Sequence, residues 1–378
     1  MKSNRVAKWV KVALVLTTVA ATAGCGAATQ NQGQQADTTK QGAATGSKSA
    51  AVTINETGSS LLYPLFNGQW ISAYKSVDPN VSISAASTGS GAGISQAIAG
   101  TVQIGASDAF MSDAQMKQNP SILNIPLAIS AQQIMYNLPG MGKDQHLNLG
   151  GDVLAKIFLG QVKYWDDPAI ADLNKGVKLP HEQIIPVHRS DGSGDTFLFT
   201  QYLTDTNSTW KQKVNFGTSV SWPSVQGGIG AKGNDGVVQQ LANNKYSIGY
   251  VGISWLDKGT QQGLGYASLQ NKDGKFVLPT SANIQSAVNA MVSKVPDDER
   301  ISLIDAPGAT SYPIINFEYA IVNTKQPADM AAALKKFLNW AIDTKGGNKA
   351  EYMTKVQFLP LPASVEPKSK AQIEKIGG

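Results

Sequence analysis

Short β-branched runs alternate with amphipathic stretches along most of this chain, and this alternation restricts the fold more than any other feature. The β-branched runs cover residues 51–54, 81–85, 184–187, 247–251 and 314–322. The amphipathic stretches cover residues 61–77, 92–99, 196–203, 236–242 and 330–344. Strands that alternate with helices favour an α/β architecture with mostly parallel sheets. No repeat with a period of about 20 to 50 residues occurs, so we do not expect a solenoid.

The N-terminal residues have the pattern of an export signal. Basic residues precede an apolar stretch over residues 12–21 that is too short to span a bilayer, and residues 22–25 read TAGC. We therefore predict a lipoprotein signal peptide over residues 1–24 and a lipid on Cys25, although a signal peptide cut elsewhere is the alternative. Cys25 is the only cysteine of the chain, which excludes an internal disulfide.

Residues 25–50 contain almost nothing to bury, so we predict that they form a disordered tether behind the lipidated cysteine. The formal net charge is +5, but the signal segment holds four of the 32 basic residues and no acidic residue. The remaining chain has 28 basic and 27 acidic residues and no basic run with interleaved aromatic residues. This composition excludes nucleic acid as a partner.

Residues 188–196, which read HRSDGSGDT, place an arginine and a small-residue turn before an apolar, helix-like stretch. The guanidinium of Arg189 can form a bidentate, charge-assisted contact with an oxyanion. Backbone N–H groups of Ser193, Gly194 and Asp195 can face the same anion from a helix start. The segment therefore predicts a buried oxyanion site.

Two further Ser/Gly turns lie between a β run and a helical stretch, at residues 57–63 (TGSSLLY) and 87–93 (STGSGAG). In the first turn, the hydroxyl of Ser60 and the N–H of Leu61 can reach an anion, but Ser59 and Ser60 can instead serve only as helix caps. In the second turn, the glycines allow a ligand to approach the backbone closely, and a flexible linker is the alternative. The second turn does not have the spacing of a nucleotide-binding loop.

Residues 104–109, which read IGASDA, end an apolar run with a carboxylate. Asp108 can be a helix cap. If Asp108 instead faces an oxyanion, that anion must carry an O–H between the two groups. Phosphate keeps such a proton near neutral pH and sulfate does not, and a site built for a hydrogen bond can reject an analogue without it by about four to five orders of magnitude. We therefore predict that Asp108 selects phosphate over sulfate.

Taken in order, these motifs resemble the phosphate-binding protein of the Pst-type phosphate ABC importer. The resemblance covers residue 51 to the C-terminus and includes residues 159–160 (LG), 165–168 (WDDP) and 230–236 (GAKGNDG). It implies the two-lobed, type II periplasmic-binding-protein fold, with the ligand in the cleft between two α/β lobes. The implied lobe I comprises residues 51–125 and 310–378, and the implied lobe II comprises residues 126–309.

The motifs and the resemblance together predict a set of phosphate-binding residues: Ser59, Ser60, Leu61, Ser90, Asp108, Arg189, Asp191, Ser193, Gly194 and Asp195. The resemblance implies that Asp191 pairs with Arg189 and holds it. Asp195 stands where many members have threonine, so with Asp108 it implies a second acceptor, a protonated phosphate and a pH-sensitive affinity. Whether Asp195 faces the ligand is left open by the sequence.

We predict no cofactor and no metal. His146, His181 and His188 lack the spacing of metal ligands on a helix. We expect His188 to have a structural role, and Asn234 and Asp235 to cap the following helix rather than to contact the ligand.

The implied function is the binding of inorganic phosphate outside the cytoplasm and its delivery to the membrane permease subunits of a phosphate ABC transporter, without catalysis. The protein would be anchored to the cell membrane by lipid on Cys25 and would face the extracellular or periplasmic side. The sequence leaves open a different oxyanion, with arsenate ahead of sulfate or molybdate, and a sensing or adhesive lipoprotein. A phosphatase is a further alternative, but the chain lacks a cluster for paired metals and a Gly-x-Ser-x-Gly elbow.

Overall fold

The computed structural model describes residues 51–141 and 144–378. The signal peptide, the lipidation of Cys25 and the tether were predicted for residues that lie outside these ranges. Within the described ranges, no helix combines the length and the apolar character that a membrane span requires.

The strands and helices follow the alternation expected from the sequence. The strands are β1 (Val52–Gly58), β2 (Val81–Ser87), β3 (Ile104–Ser107), β4 (Ile122–Tyr136), β5 (Asn148–Leu149), β6 (Ile185–Arg189), β7 (Ile229–Ala231), β8 (Ser247–Gly252), β9 (Gly265–Tyr266), β10 (Ser268–Gln270), β11 (Phe276–Val277), β12 (Ile315–Asn323) and β13 (Leu359–Pro360). The helices are α1 (Tyr63–Leu65), α2 (Ile71–Val77), α3 (Ser90–Ile98), α4 (Asp113–Gln118), α5 (Gly151–Phe158), α6 (Pro168–Ala171), α7 (Gly194–Thr206), α8 (Ser208–Lys213), α9 (Gly233–Asn243), α10 (Leu256–Gln261), α11 (Ser281–Met291), α12 (Ala328–Ile342), α13 (Ala350–Met353) and α14 (Glu366–Ile373). A π-helical turn, Phe66–Trp70, joins α1 to α2.

One large sheet organises the fold, with the strand order β2-β1-β3-β12-β4-β8-β6-β7, and β9 and β13 also pair with β4. The pairings are parallel at the two ends of this sheet, where β1 pairs with β2 and β3, and β6 pairs with β7 and β8. They are antiparallel at the centre, around β4 and β12. A small separate sheet has the order β11-β10-β5. The predicted α/β class is confirmed.

Strand β4 connects the two ends of the large sheet. It is 15 residues long, and every residue in it is buried. Residues 122–131 pair with β12, and residues 132–136 pair with β8. The same strand therefore contributes to the packing on both sides of the sheet centre.

Aromatic side chains fill the core on both sides of β4. At one end, Phe66 and Trp70 pack against Phe337 of α12, with ring centroids 5.9 and 6.1 Å from that residue. At the other end, Phe199 of α7 stacks on Tyr250 of β8 at 4.5 Å. Aromatic pairs of this kind contribute about 0.5–1.5 kcal/mol each beyond the burial of their area. The stacked pair joins the second turn of α7 to β8.

Candidate functional site

The predicted site residues lie at or just beyond the ends of four strands. Ser59 and Asp108 follow β1 and β3, Ser90 begins α3 after β2, and residues 189–195 run from the last residue of β6 to the second residue of α7. Ligands of open α/β sheets bind outside the carboxyl ends of the strands, where such segments meet. Ser59, Ser90, Asp108 and Arg189 are each at most 2% exposed. The structure therefore brings these separate motifs together in one buried cluster.

Asp108 is the acceptor for two serine hydroxyls. The hydroxyl of Ser59 donates to Oδ1 of Asp108, and the hydroxyl of Ser90 donates to Oδ2 at 3.2 Å. The alternative of a helix cap at Asp108 does not apply, because the next helix, α4, is capped by Ser112. The carboxyl of Asp108 is thus turned towards the other turns of the cluster.

Ser59 also performs the capping role that the sequence left open. Its Oγ accepts hydrogen bonds from the N–H groups of Leu61 and Leu62 at 3.1 and 2.9 Å. The N–H of Leu61 precedes α1 and donates to Ser59 in this structure, so its contact with an anion stays a prediction. Ser60 is placed in the cluster by a different partner, described below.

Arg189 is held by two carboxylates. Its Nε and Nη2 donate to Oδ1 and Oδ2 of Asp191 at 2.8 and 2.6 Å, and its Nη1 donates to Oδ2 of Asp195 at 2.8 Å. The pairing of Arg189 with Asp191 is the one that the family resemblance implies. A guanidinium has five N–H donors, so one further N–H remains on each Nη atom. These two donors are suited to a bidentate contact with an oxyanion.

Asp195 points into the cluster, and its contact with a ligand stays a prediction. Its Oδ2 accepts from Arg189 and from Nδ2 of Asn234 at 2.6 Å, and its Oδ1 accepts from Nε2 of Gln132 at 3.1 Å. Asp195 is fully buried, so these donors replace the water that a carboxylate needs.

The expectation for Asn234 was wrong. Instead of capping α9, its side chain donates to Ser60 Oγ at 2.9 Å and to Asp195, and its backbone N–H also donates to Ser60 Oγ at 3.0 Å. Asn234 is the second residue of α9, and a cap must precede the first helical residue, a position that Lys232 occupies. Lys232 makes no side-chain cap, and the first two N–H groups of α9 donate instead to Asp191 Oδ1 and Ser60 Oγ, so the expected capping by Asp235 is also wrong.

The start of α7 supplies two of the three backbone donors expected there. The hydroxyl of Ser193 caps the helix by accepting from the N–H of Thr196 at 3.2 Å. The N–H of Ser193 donates to the carbonyl of Thr218 at 2.8 Å, so it does not serve the anion as expected. Gly194 and Asp195 begin the helix, and their N–H groups lie beyond the reach of intrahelical acceptors. A helix start with such N–H groups is a favourable position for an anion.

Glycines allow the turns to approach one another. The N–H of Gly91 donates to the carbonyl of Gly192 at 2.9 Å, which joins the turn after β2 to the turn after β6. Gly89 has a φ of +93°, and a side chain there would collide with the carboxylate of Asp191. The Ser/Gly turn at residues 87–93 is therefore an ordered, close contact and not a flexible linker.

The burial of so many carboxyl groups changes their proton affinities. Burial raises the pKa of Asp108 well above its usual value, and the nearby negative charge of Glu318 raises it further. Burial also raises the pKa of Asp195 to about 7, with a contribution from Asp108 that Arg189 opposes. For Asp191, burial raises the pKa but the hydrogen bonds and charge of Arg189 outweigh it, so the pKa lies below its usual value.

Several residues of the cluster were not predicted. Gln132 and Glu318 lie in β4 and β12, and each is a fully buried polar residue in a largely apolar strand. A polar side chain inside an apolar run is the signal that could have found them. His188 has the structural role expected of it, because its ring stacks on Trp222 at 4.7 Å and its Nδ1 lies 3.0 Å from the carbonyl of Arg189. In the described ranges, no group of three or more His, Cys, Asp or Glu residues could hold a metal ion.

Comparisons with known proteins agree with this geometry. A family model described as the PBP superfamily domain matches residues 30–345. The phosphate-binding protein PstS of Pasteurella multocida is 39% identical over 323 residues, which cover 85% of this chain and 90% of the relative. The phosphate-binding protein PstS of Methanocaldococcus jannaschii is 36% identical over 338 residues, which cover 84% of this chain and 85% of the relative.

A solved structure supports the fold independently. The structure of a high-affinity periplasmic phosphate-binding protein bound with phosphate at pH 8.5 matches with a TM-score of 0.67 and 20% identity, over 84% of this chain and 93% of that chain. The chain is therefore a substrate-binding protein with the two-lobed periplasmic-binding fold. Within this class, it belongs to the family of PstS phosphate-binding proteins.

Proposed function

We propose that this protein binds inorganic phosphate outside the cytoplasm and delivers it to the permease subunits of a phosphate ABC transporter. The observation that carries the proposal is the buried arginine: Arg189 is held rigidly by Asp191 and Asp195 and keeps one N–H on each Nη atom for an oxyanion. The names of the PstS relatives, which are phosphate-binding proteins, support phosphate as the anion.

The proposed ligand set divides by chemistry. Arg189 and the N–H groups of Gly194 and Asp195 supply positive charge and donors at the start of α7. The hydroxyl of Ser60 supplies a further donor, the hydroxyl of Ser90 becomes one if it turns from Asp108 to the anion, and Asp108 accepts the O–H of a protonated phosphate. Ser59, Leu61, Asp191 and Ser193 hold these groups in place through the cap and ion-pair contacts described above.

We propose that the ligand is enclosed by closure of two lobes, with lobe I at residues 51–125 and 310–378 and lobe II at residues 126–309. The turns with Ser60, Ser90 and Asp108 then belong to lobe I, and Arg189 belongs to lobe II. Contacts between the two sets support this division, because Gly91 binds Gly192 and Ser60 binds Asn234. Closure would present a surface that the permease recognises only when phosphate is bound.

The proposed location is the outer face of the cell membrane, with lipid on Cys25 as the anchor and residues 25–50 as the tether. One solved structure of the same fold is described as periplasmic, which supports an extracytoplasmic site of action. The anchor can be tested by labelling cells with radioactive palmitate. The wild type should incorporate the label and the Cys25→Ser variant should not, and equal labelling of the two would disprove the anchor.

Isothermal titration of the purified protein tests the function. We expect tight binding of phosphate and no measurable heat with sulfate at pH 6 and at pH 8, because sulfate has no proton for Asp108 to accept. Equal binding of the two anions would show that Asp108 does not discriminate between them by the O–H group of phosphate. Arsenate in the same experiment measures how far the site discriminates between two anions with the same protonation pattern.

We further propose that the protein is not an enzyme. The cluster offers no paired metals in the described residues, and Ser59 and Ser193 are used as helix caps rather than placed beside a general base. Incubation with a chromogenic phosphate ester should release no product. Release that is lost in Arg189→Ala would instead support a phosphatase.

A further inference from the structure

Glu318 is a buried carboxyl group beside Asp108 that the proposed ligand set does not use. It lies in β12 and is fully buried. Its Oε1 accepts from the hydroxyl of Ser130 at 2.5 Å and from Nδ2 of Asn316 at 3.0 Å. The same Asn316 amide also donates to the carbonyl of Asp108 at 3.3 Å, so one side chain connects the two acidic residues.

The second oxygen of Glu318, Oε2, accepts no hydrogen bond from an N–H or hydroxyl group of the described residues. Asp108 is the neighbour within hydrogen-bonding reach, and a carboxyl group donates only when it carries a proton. An ionised Asp108 would leave a buried acceptor unsatisfied and two negative charges in contact.

The charge of the whole cluster also favours a proton on the pair Asp108 and Glu318. The charged groups near Glu318 are Asp108 at the end of β3 and Asp195 at the start of α7, with Arg189 and Asp191 beyond them. Four ionised carboxylates around one guanidinium would give a net charge of about −3 in a buried site, and an added anion would be repelled. Burial raises the pKa of Glu318 to about 7, against hydrogen bonds from its polar neighbours.

We propose that Glu318 is a positioning residue of the phosphate site, which shares one proton with Asp108 through its Oε2 and thereby couples phosphate binding to proton uptake. The inference rests on the proposed function and extends it to a residue outside the ligand set. The shared proton removes one negative charge from the cluster, and the oxygen of Asp108 that does not carry it remains an acceptor for the phosphate O–H. When this proton is lost at higher pH, the affinity for phosphate falls.

The test compares the wild type with Glu318→Gln by titration with phosphate between pH 6.5 and 9, in buffers with different ionisation enthalpies. For the wild type we expect proton uptake at pH 8 and an affinity that falls by up to about tenfold per pH unit for one proton. Glu318→Gln has no charge to neutralise, so its uptake should be smaller by up to about one proton and its pH dependence flatter by the same factor. Protonation of phosphate itself is common to both proteins and cancels in the difference.

Two further variants make the result specific. Glu351→Gln changes an exposed glutamate of α13 and should behave as the wild type. Ser130→Ala removes a donor that favours the ionised form of Glu318, so the fall in affinity should move to higher pH, and this variant also tests the proposal if Glu318→Gln does not fold.

The outcomes separate the two proposals. If the wild type does not bind phosphate, the proposed function fails. If it binds phosphate but Glu318→Gln shows the same proton uptake and pH profile, or Ser130→Ala leaves the profile unmoved, the role of Glu318 is overturned and the function stands.

Discussion

Gly194 lies directly against the carboxyl group of Asp108. A Cβ atom added at position 194 would be 2.5 Å from Oδ2 of Asp108 and 2.6 Å from its Cβ. Gly194 is the first residue of α7 and Asp108 follows β3, so the contact joins the two proposed lobes. Only a residue without a side chain allows the helix start and the carboxyl group to meet.

Gly194→Ala should therefore weaken phosphate binding while the fold persists. Overpacking by one methyl group costs about 1–3 kcal/mol, and if this falls on the closed form the affinity drops roughly five- to 150-fold. Titration calorimetry measures the effect. Gly236→Ala is the matched control, because a Cβ there would meet its nearest atom at 3.7 Å. Equal affinities in the two variants would mean that closure does not bring residues 194 and 108 together.

Arg189→Lys should reduce phosphate affinity severely, although it preserves the charge. A lysine cannot reproduce the fork to Asp191 and leaves a buried carboxylate short of donors, at a loss of about 2–5 kcal/mol of binding free energy. The control is Arg300→Lys, at an arginine that Asp113 and Asp298 hold outside the cluster. Near-normal affinity in Arg189→Lys would refute the assignment of the guanidinium to the anion.

Asp108→Asn should reduce discrimination between phosphate and sulfate. The amide can donate to an oxyanion without a proton, so sulfate gains affinity while phosphate loses its acceptor. We expect the affinity ratio to fall by at least about 100-fold, within the range that one such hydrogen bond can enforce. Asp113→Asn, at a side chain that is 97% exposed, is the control. An unchanged ratio in competition titrations would place the selectivity elsewhere.

Asn234→Ala should destabilise the protein as well as the site. The Oδ1 of Asn234 accepts from the N–H of Gly252 at 2.8 Å, and its Nδ2 serves Ser60 and Asp195. Buried groups left without partners cost about 1–3 kcal/mol, which urea unfolding would detect. In Asn244→Ala the lost contact is a local one to the carbonyl of Gln240, so a smaller change is expected. A larger loss in Asn244→Ala would contradict the bridging role.

The stability of the protein should fall as the pH rises, and Glu56 should be one cause. Burial raises its pKa from 4.5 to about 8, and a hydrogen bond from the backbone of Ala86 opposes this rise only in part. Between these pH values the folded chain holds a proton that the unfolded chain releases. The free energy of unfolding therefore falls from pH 4.5 towards pH 8, by up to about 1.4 kcal/mol per pH unit.

Glu56→Gln should remove this contribution and flatten the pH profile. Urea unfolding at pH 5.5 and pH 8 gives the comparison, with Glu351→Gln at an exposed position as the control. If the difference between the two pH values is the same in Glu56→Gln as in the wild type, the carboxyl of Glu56 is not the group that titrates.

The sequence indicated the parts of the site that are local in the chain. Arg189 and Asp191 lie in one turn, as do Ser193 and Gly194, so their chemistry could be interpreted from spacing alone. Asn234, Gln132 and Glu318 reach the same cluster from distant segments, and only the packing of β4, β12 and α9 places them there. The Asn234 expectation failed for this reason: a local rule for helix caps was applied to a residue with a long-range partner.

The antiparallel pairing at the centre of the sheet could not be predicted from the sequence either. The alternation of strands and helices predicts parallel pairs, which occur at both ends, but β4 joins antiparallel partners. The register between β4 and β12 shifts where Tyr319 pairs with Pro126 and Glu318 pairs with Ala128. Proline has no N–H for the ladder, and an irregularity at this point accommodates it. From the sequence alone, a proline in an apolar run argues against a central strand, and only the pairing with β12 shows how Pro126 fits.

Strand β4 also determines how the protein unfolds. Because its 15 buried residues pair with β12 at one end and β8 at the other, neither side of the sheet can lose its structure without exposing part of the same strand. Melting should therefore be a single cooperative transition, in which probes placed on opposite sides of the sheet report the same midpoint. Because both sides of the sheet pair with β4, we expect each side to stay folded only while the other does.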